Sequence, residues 1–338
     1  MSETGRIAVV GGGSWGTALA RLLAVKGHRV TLWAREPDVV SQIREEGENR
    51  EFLPGVPLPS NLEADTDLAR VLEGRTMVVS VVPAQFVSSV FSRATEVLEA
   101  DAQVVSASKG IEVATGRRMD EVFAGLLSPG QARNLTFLSG PSFAAEVCSE
   151  APTAVVAASH SAEAAERAQE AFQTEHFRVY TNSDVLGVGL GGALKNVIAL
   201  AAGAVAGLGY GHNTLAALIT RGLAEITRLG VAMGADPATF SGLAGMGDLV
   251  LTCTGNLSRN RTVGFRLGQG ESLQRILEDM RGVAEGVRTV QAVRDLAREF
   301  EVEMPISEEV HALLWEGRSP REAVRNLMLR EPKPEIWS

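Results

Sequence analysis

The chain has 338 residues, 45% hydrophobic and 22% charged, a balance that excludes a disordered, collagenous or coiled-coil protein and suggests about two domains. With 32 basic and 41 acidic residues the net charge is −9, which disfavours nucleic acid and anionic membrane surfaces as partners. A small anionic substrate stays open, because a local cluster of Lys and Arg decides that, and the 35 glycines call for tight turns or close backbone approach.

The N-terminal Met1–Arg6 runs straight into an apolar strand, Ile7–Val10, with no basic region followed by an apolar stretch. No secretory leader is expected, and a cytoplasmic location follows. Cys148 and Cys253 fit that compartment as two reduced, buried, apolar side chains; they make neither a disulfide framework nor a metal site. Helical spacing follows over Ser14–Lys26, then a second apolar run over Val30–Trp33. Met77–Val82 is a third strand with a helical stretch from Ala84, and Gln103–Ala107, Leu135–Leu138, Ala154–Ala157 and Phe177–Tyr180 continue the series. Continuous apolar runs separated by helical patterns predict parallel strands covered on both faces, a doubly wound α/β sheet over residues 1–182.

After Asn182 the strand signal stops. Ser183–Gly207, Asn213–Met233, Pro237–Leu243, Asn260–Leu267, Ser272–Met280, Val287–Glu299 and Ser307–Glu316 read as helices, an all-α domain over 183–338. Between Val185 and Gly211 the only charge is Lys195, and glycines interrupt the segment. Its longest uncharged run is shorter than the roughly 20 residues of a membrane span, so a buried core helix carrying one lysine is expected. The tail from Glu331 reads as loosely ordered. No linker separates the halves, and the cleft between them is the expected site.

Gly11, Gly13 and Gly16 form G-x-G-x-x-G between the first strand and the first helix. Gly11 permits the turn, Gly13 admits a pyrophosphate and Gly16 lets helix and strand pack; free N–H groups of the helix then face the phosphates. That context predicts a Rossmann-like dinucleotide site. At the end of the second strand, Arg35 suits a 2′-phosphate and Glu36 a ribose hydroxyl, so NADP is somewhat favoured and NAD stays open. Loops after later strands carry Lys109, Gly140 and Ser142; Lys109 reads equally as a ligand cation or a solvated lysine, and Ser142 as the N-cap of a helix over Phe143–Val147.

Lys195 is the most informative residue. An ammonium in an apolar helix is costly, its pKa falls toward neutrality, and it suits a general acid that protonates a forming alkoxide. Asp248, on the glycine-rich Gly242–Asp248 loop, offers the counter-charge, although a turn residue fits too. Ser258, Arg259 and Asn260 supply phosphate-type donors before a helix, and a capping sequence reads the same way. No histidine is singled out, and no cluster has metal-ligand spacing.

With these motifs in order, the chain resembles the bacterial NAD(P)-dependent glycerol-3-phosphate dehydrogenase family. The matches are Gly11–Gly16 with Ser14 and Trp15, Leu53–Gly55, Lys109–Glu112, Leu138–Glu146, Leu190–Asn196, Ala217–Arg221, Gly242–Asp248, Ser258–Asn260 and Val283–Gly286. The resemblance implies a Rossmann-like sheet followed by a helical domain of the 6-phosphogluconate-dehydrogenase type, and a homodimer. It implies reduction of dihydroxyacetone phosphate to sn-glycerol 3-phosphate with NADPH or NADH and no metal, supplying phospholipid synthesis. It implies that Lys195 carries the proton and that Asp248 orients it. Cofactor contacts fall on Gly11, Gly13, Ser14, Trp15, Gly16, Arg35, Lys109, Ala144, Arg259, Val283 and Glu285. Substrate contacts fall on Lys109, Gly140, Ser142, Lys195, Asp248, Ser258, Arg259 and Asn260. Two departures are visible, Gly189 where the family commonly has Glu and His212 where it has Asp. A β-hydroxyacid or 6-phosphogluconate-type dehydrogenase is the alternative within the class, and a non-enzymatic NAD(H)-binding redox sensor is the alternative outside it.

Overall fold

The computed structural model describes residues 5–280 and 282–335. In chain order the sheet-bearing part runs β1 (Arg6–Val10), α1 (Ser14–Val25), β2 (Arg29–Trp33), α2 (Pro37–Glu46), β3 (Glu48–Asn49), β4 (Leu53–Pro57), β5 (Leu62–Asp65), α3 (Leu68–Leu72) and β6 (Met77–Ser80). It continues with α4 (Val87–Phe91), β7 (Gln103–Ser106), β8 (Ile111–Glu112), β9 (Arg117–Arg118), α5 (Met119–Leu126), α6 (Pro129–Arg133), β10 (Thr136–Ser139), α7 (Ala144–Cys148), β11 (Thr153–Ser159), α8 (Ala162–Phe172) and β12 (Phe177–Asn182). From there the described chain is helical: α9 (Val185–Gly207), α10 (His212–Ala232), α11 (Pro237–Phe240), α12 (Asp248–Thr254), α13 (Arg259–Gly268), α14 (Leu273–Asp279), α15 (Glu285–Glu299), α16 (Pro305–Trp315) and α17 (Pro320–Met328).

Eight strands form one sheet in the order β12-β11-β10-β7-β6-β1-β2-β5. Apolar side chains leave both faces, as the continuous apolar runs require. One face packs on α1, α2 and α8 through Leu19, Leu23, Val39, Ile43, Ala168 and Phe172. The other packs on α3, α4 and α5 through Leu72, Phe91 and Phe123. The sheet is therefore doubly wound. It departs from the expected parallel pattern in one place, where β10 and β11 are antiparallel, Thr136 facing Ser159. Only the five-residue α7 lies in the connection between them, too short to carry the chain back along the sheet as a parallel crossover needs. The edge strand β5 was not legible in the apolar pattern: Leu62-Glu-Ala-Asp65 alternates with charge because it lies at the margin.

The helical part is organised on α9, which is apolar on every side and packs with α10, α12, α13, α15 and α16 in one core. By length and composition α9 alone among the described helices is apolar enough to cross a membrane, and 89% of its most apolar stretch is buried within the protein. Its glycines do specific work. A Cβ on Gly203 would lie 2.0 Å from the Arg261 carbonyl, and one on Gly264 of α13 would lie 1.9 Å from that of Leu200, so the two backbones meet only because both positions lack a side chain. Residues 331–335 form no helix or strand, yet the Glu335 carbonyl accepts from Arg221 and Lys333 donates to Glu303; 336–338 lie outside the described residues.

Candidate active site

The glycine turn after β1 has the shape its sequence requires. Gly11 takes φ +126°, in the region glycine favours, and a Cβ on Gly16 would fall 1.8 Å from the Gly11 carbonyl. A Cβ on Gly13 would meet nothing, so the space above the turn is open to a ligand. Gly13 caps α1 without a side-chain bond, and the first turn of that helix carries no acidic residue. Its N–H groups are left for an anion. A dinucleotide pyrophosphate fits this cradle.

Lys195 and Asp248 meet at the carboxyl ends of the strands. Lys195 comes from α9 and is 6% exposed; Asp248 opens α12 and is 1% exposed. A π-helical turn over Leu243–Gly247 feeds Asp248 into position, and such turns recur at functional sites. The Lys195 ammonium donates to Oδ1 of Asp248 and, at 2.8 Å, to Oγ1 of Thr252. Lys109, from the loop after β7, donates to the other carboxylate oxygen at 2.7 Å and to the Gly140 carbonyl at 3.4 Å. One buried carboxylate thus holds two ammonium groups from two halves of the chain. Burial pushes the Lys195 pKa down to about 8, and the Asp248 carboxylate and the Lys109 ammonium act on it in opposite directions. Burial alone would raise the Asp248 pKa; the two lysines outweigh it and hold the group below the ordinary carboxylate range. Lys195 is therefore a buried ammonium whose pKa lies well below that of an ordinary lysine.

Four further residues border the site. Ser258 caps α13, accepting from the Arg261 N–H, so the capping reading applies to it and Asn260 is free for another task. Asn260 donates to Oδ1 of Asn196 at 3.0 Å and accepts from the Gly286 N–H at 2.9 Å, joining α9, α13 and α15 beside Lys195. The Arg259 guanidinium donates to the Ser14 hydroxyl at 3.0 Å and to the Val283 carbonyl at 3.3 Å. Glu285 is half-buried and accepts from the Ala84 N–H at 3.0 Å; desolvation pushes its pKa up to about 6. Arg259 and Glu285 thus bind the helical half to the turns after β1 and β6.

The remaining positions sort clearly. Ser142 does not cap the short helix that follows: Phe143 stands at the cap of α7, and the Ser142 hydroxyl donates to the Gly140 carbonyl at 3.0 Å. The extended backbone of Phe143 puts the helix start one residue later than the polar side chain suggested. Trp15 and Ala144 pack together with Ala18, Leu53 and Cys148. Arg35, at the end of β2, is exposed and bonded to Glu36. Both cysteines are buried free thiols, and burial pushes Cys148 up to about 11 and Cys253 up to about 12. Gly189 faces open space, and His212 begins α10 on the surface, so neither departure disturbs packing. Among the described residues no group of three His, Cys, Asp or Glu side chains converges as metal ligands. Thr252 is the site residue that sequence reasoning missed; its signal was the i, i+4 spacing from Asp248 on one face of α12.

A doubly wound sheet with a glycine cradle, followed by a helical domain presenting a buried lysine, defines a pyridine-nucleotide oxidoreductase. The profile of the NAD-dependent glycerol-3-phosphate dehydrogenase N-terminus matches residues 6–165, and that of the C-terminus matches 184–325. The chain is 58% identical over 330 residues to a glycerol-3-phosphate dehydrogenase [NAD(P)+] of Geobacter sp. (strain M21), covering 98% of each. It is 55% identical to that of Geobacter sulfurreducens over the whole of both chains. The crystal structure of glycerol-3-phosphate dehydrogenase from Coxiella burnetii superposes with a TM-score of 0.92 at 41% identity, covering 96% of this chain and 99% of that one. The chain belongs to the NAD-dependent glycerol-3-phosphate dehydrogenase family.

Proposed function

We propose that the chain reduces dihydroxyacetone phosphate to sn-glycerol 3-phosphate with NADPH or NADH, reversibly, with Lys195 as the proton donor. The observation that carries this reading is the buried Lys195, held by Asp248 and titrating near neutrality between the glycine cradle and the Ser258–Asn260 segment. When bound, the reduced nicotinamide supplies a hydride to the ketone carbon. Lys195 gives its proton to the ketone oxygen as that oxygen gains charge, and in the reverse direction the neutral amine takes the hydroxyl proton. Asp248 fixes the direction of the Lys195 ammonium, aided by Thr252. Lys109 adds a second positive charge beside the reacting oxygen. Ser258, Arg259 and Asn260 hold the phosphate, and Gly140 and Ser142 form the wall opposite. Gly11, Gly13, Ser14, Trp15, Gly16, Arg35, Ala144, Val283 and Glu285 hold the dinucleotide.

In this reading residues 1–182 form the dinucleotide-binding domain and 183–338 the substrate-binding domain, with each ligand also touching the other half. The protein works in the cytoplasm as a homodimer, feeds glycerophospholipid synthesis and takes no nucleic acid partner. The test is absorbance at 340 nm with dihydroxyacetone phosphate and either reduced cofactor. Lys195→Met is expected to lower turnover at least about a hundredfold while NADH binding, read by calorimetry, is unchanged. Near-normal turnover of the variant would overturn the role of Lys195. Turnover of a hydroxyacid in place of the phosphate would overturn the substrate.

A further inference from the structure

The glycine turn after β1 is held from beneath by a side chain that comes from outside the sheet. The β3–β4 hairpin is inserted between α2 and β5 and joins no strand of the eight-stranded sheet. It sends Asn49 under the turn. The Asn49 Nδ2 donates to the Gly12 carbonyl and to the Thr17 hydroxyl, both at 2.8 Å, and its Oδ1 accepts from the Phe52 N–H at 3.1 Å. These partners fix which way the amide lies, because a carbonyl only accepts and a backbone N–H only donates. The Thr17 hydroxyl, having accepted one bond, gives its own proton to the same Gly12 carbonyl at 3.3 Å. Asn49 and Thr17 are fully buried, so these bonds form away from solvent.

The Gly12 carbonyl is thereby turned inward. No peptide bond is cis among the described residues, and in a trans peptide the carbonyl and the following N–H point in opposite directions. Fixing the Gly12 oxygen toward Asn49 therefore aims the Gly13 N–H outward, into the open space above the turn, where it meets no acceptor among the described residues. A flip of this peptide would turn an oxygen toward a bound anion in place of a donor. With glycine on both sides the backbone alone resists that flip weakly, so the buried amide has to hold it.

We propose that Asn49 is a positioning residue for the dinucleotide, holding the Gly12–Gly13 peptide with its N–H outward so that the turn is preset for a pyrophosphate. The proposal rests on the reading above that this turn takes the pyrophosphate. Thr17 supports the same peptide from α1. Both side chains are covered by the turn and act through Gly12, not by touching the ligand.

The test is the dissociation constant of NADH, ADP-ribose and adenosine for wild type, Asn49→Ala and Thr17→Val, with Thr17→Ser as the variant that keeps the hydroxyl. NADH and ADP-ribose carry the pyrophosphate and adenosine does not. Asn49→Ala is expected to weaken NADH and ADP-ribose alike by about ten- to a hundredfold, the range of a lost hydrogen bond to a charged group, and to leave adenosine unchanged. In turnover, KM for NADH should rise by a similar factor while kcat at saturating cofactor stays within about twofold. Thr17→Val keeps the Asn49 bonds to Gly12 and Phe52 and should weaken NADH by about threefold, with Thr17→Ser restoring it. Equal weakening of all three ligands in Asn49→Ala, or a fall in kcat with KM unchanged, overturns the positioning and leaves Asn49 as a brace of the hairpin. Unchanged NADH affinity in Asn49→Ala overturns it outright. In wild type, ADP-ribose binding no tighter than adenosine overturns the placement of the pyrophosphate on which the proposal rests. All affinities are read well below each variant's own Tm. If Asn49→Ala does not fold, the near-isosteric Thr17→Val decides, and unchanged NADH affinity there overturns the proposal.

Discussion

Replacing Asp248 by Asn tests the electrostatic core of the site, because it keeps the shape and removes the charge. Asp248 is the carboxylate for two ammonium groups, one of them buried on α9. Two unit charges about 4 Å apart in an effective dielectric of about 20 interact by about 4 kcal/mol, or about three pH units of proton affinity. The Lys195 pKa of about 8 in the native protein includes that attraction, set against burial and the Lys109 charge. Without it the ammonium loses its bonded counter-charge, and the alkaline limb of the reduction profile is expected to move about three pH units toward acid. At pH 7.5 the protonated fraction of Lys195 then falls from about 75% to about 0.3%, a loss of roughly two hundredfold in reductive turnover.

The assay is initial velocity of dihydroxyacetone phosphate reduction from pH 5 to 9, with NADH affinity as the control for an intact cradle. Much of the lost rate should return near pH 5, where Lys195 is again protonated. A limb that stays near pH 8, or a rate lowered equally at every pH, would refute the argument. Because breaking a buried pair costs about 3–5 kcal/mol of stability, Thr252→Val provides a milder companion. It removes one acceptor from the Lys195 ammonium, and the same limb should move the same way by a smaller step.

Three further expectations follow from the geometry. Gly16→Ala sets a Cβ 1.8 Å from the Gly11 carbonyl and has to displace the cradle, so NADH affinity should fall at least about tenfold, measured by calorimetry. Asn260→Ala removes an acceptor from the Gly286 N–H and a donor from Asn196, and should cost about 1–3 kcal/mol of stability in urea while raising KM for the phosphate substrate more than it lowers kcat. Glu225, buried on α10 and accepting from the Ile306 and Ser307 N–H groups at the start of α16, has its pKa pushed up to about 7 by burial. The folded protein therefore binds that proton more tightly than the unfolded chain, so wild-type Tm should fall relative to Glu225→Gln as pH rises from about 4.5 to 7 and run parallel above it.

Much of this fold was legible because its signals are local. The strands β1, β2, β6 and β7 are apolar runs buried on both faces, and the glycine turn carries its own stereochemistry. Strand direction is not local: Thr153–Ser159 looks the same whether it runs with or against β10, and only the shortness of α7 decides it. The stretch 242–254 shows the same limit from another side. Its glycines read as a loop, yet they wind into a π-helical turn that starts α12, and Thr252 enters the site only because that helix exists. By contrast α17 had its signal in plain view, Ser319 and Glu322 forming a capping box around Pro320.

Lys195 was legible because a charge in an apolar helix has to be explained and Asp248 offered its counter-charge, whereas the sharing of that carboxylate with Lys109 was not legible. Asp248 lies 53 residues from Lys195 and 139 from Lys109, and no spacing rule joins them. The assembly explains how an acidic protein builds a site for an anion. Around the site, Lys109, Lys195 and Arg259 face Asp248 and Glu285, and burial raises the Glu285 pKa to about 6. The local balance is therefore positive against a chain total of −9. One carboxylate shared by two lysines is what makes that balance tolerable. It compensates the ammonium groups enough to keep them charged and leaves an excess of one positive charge, which a substrate phosphate or a forming alkoxide completes.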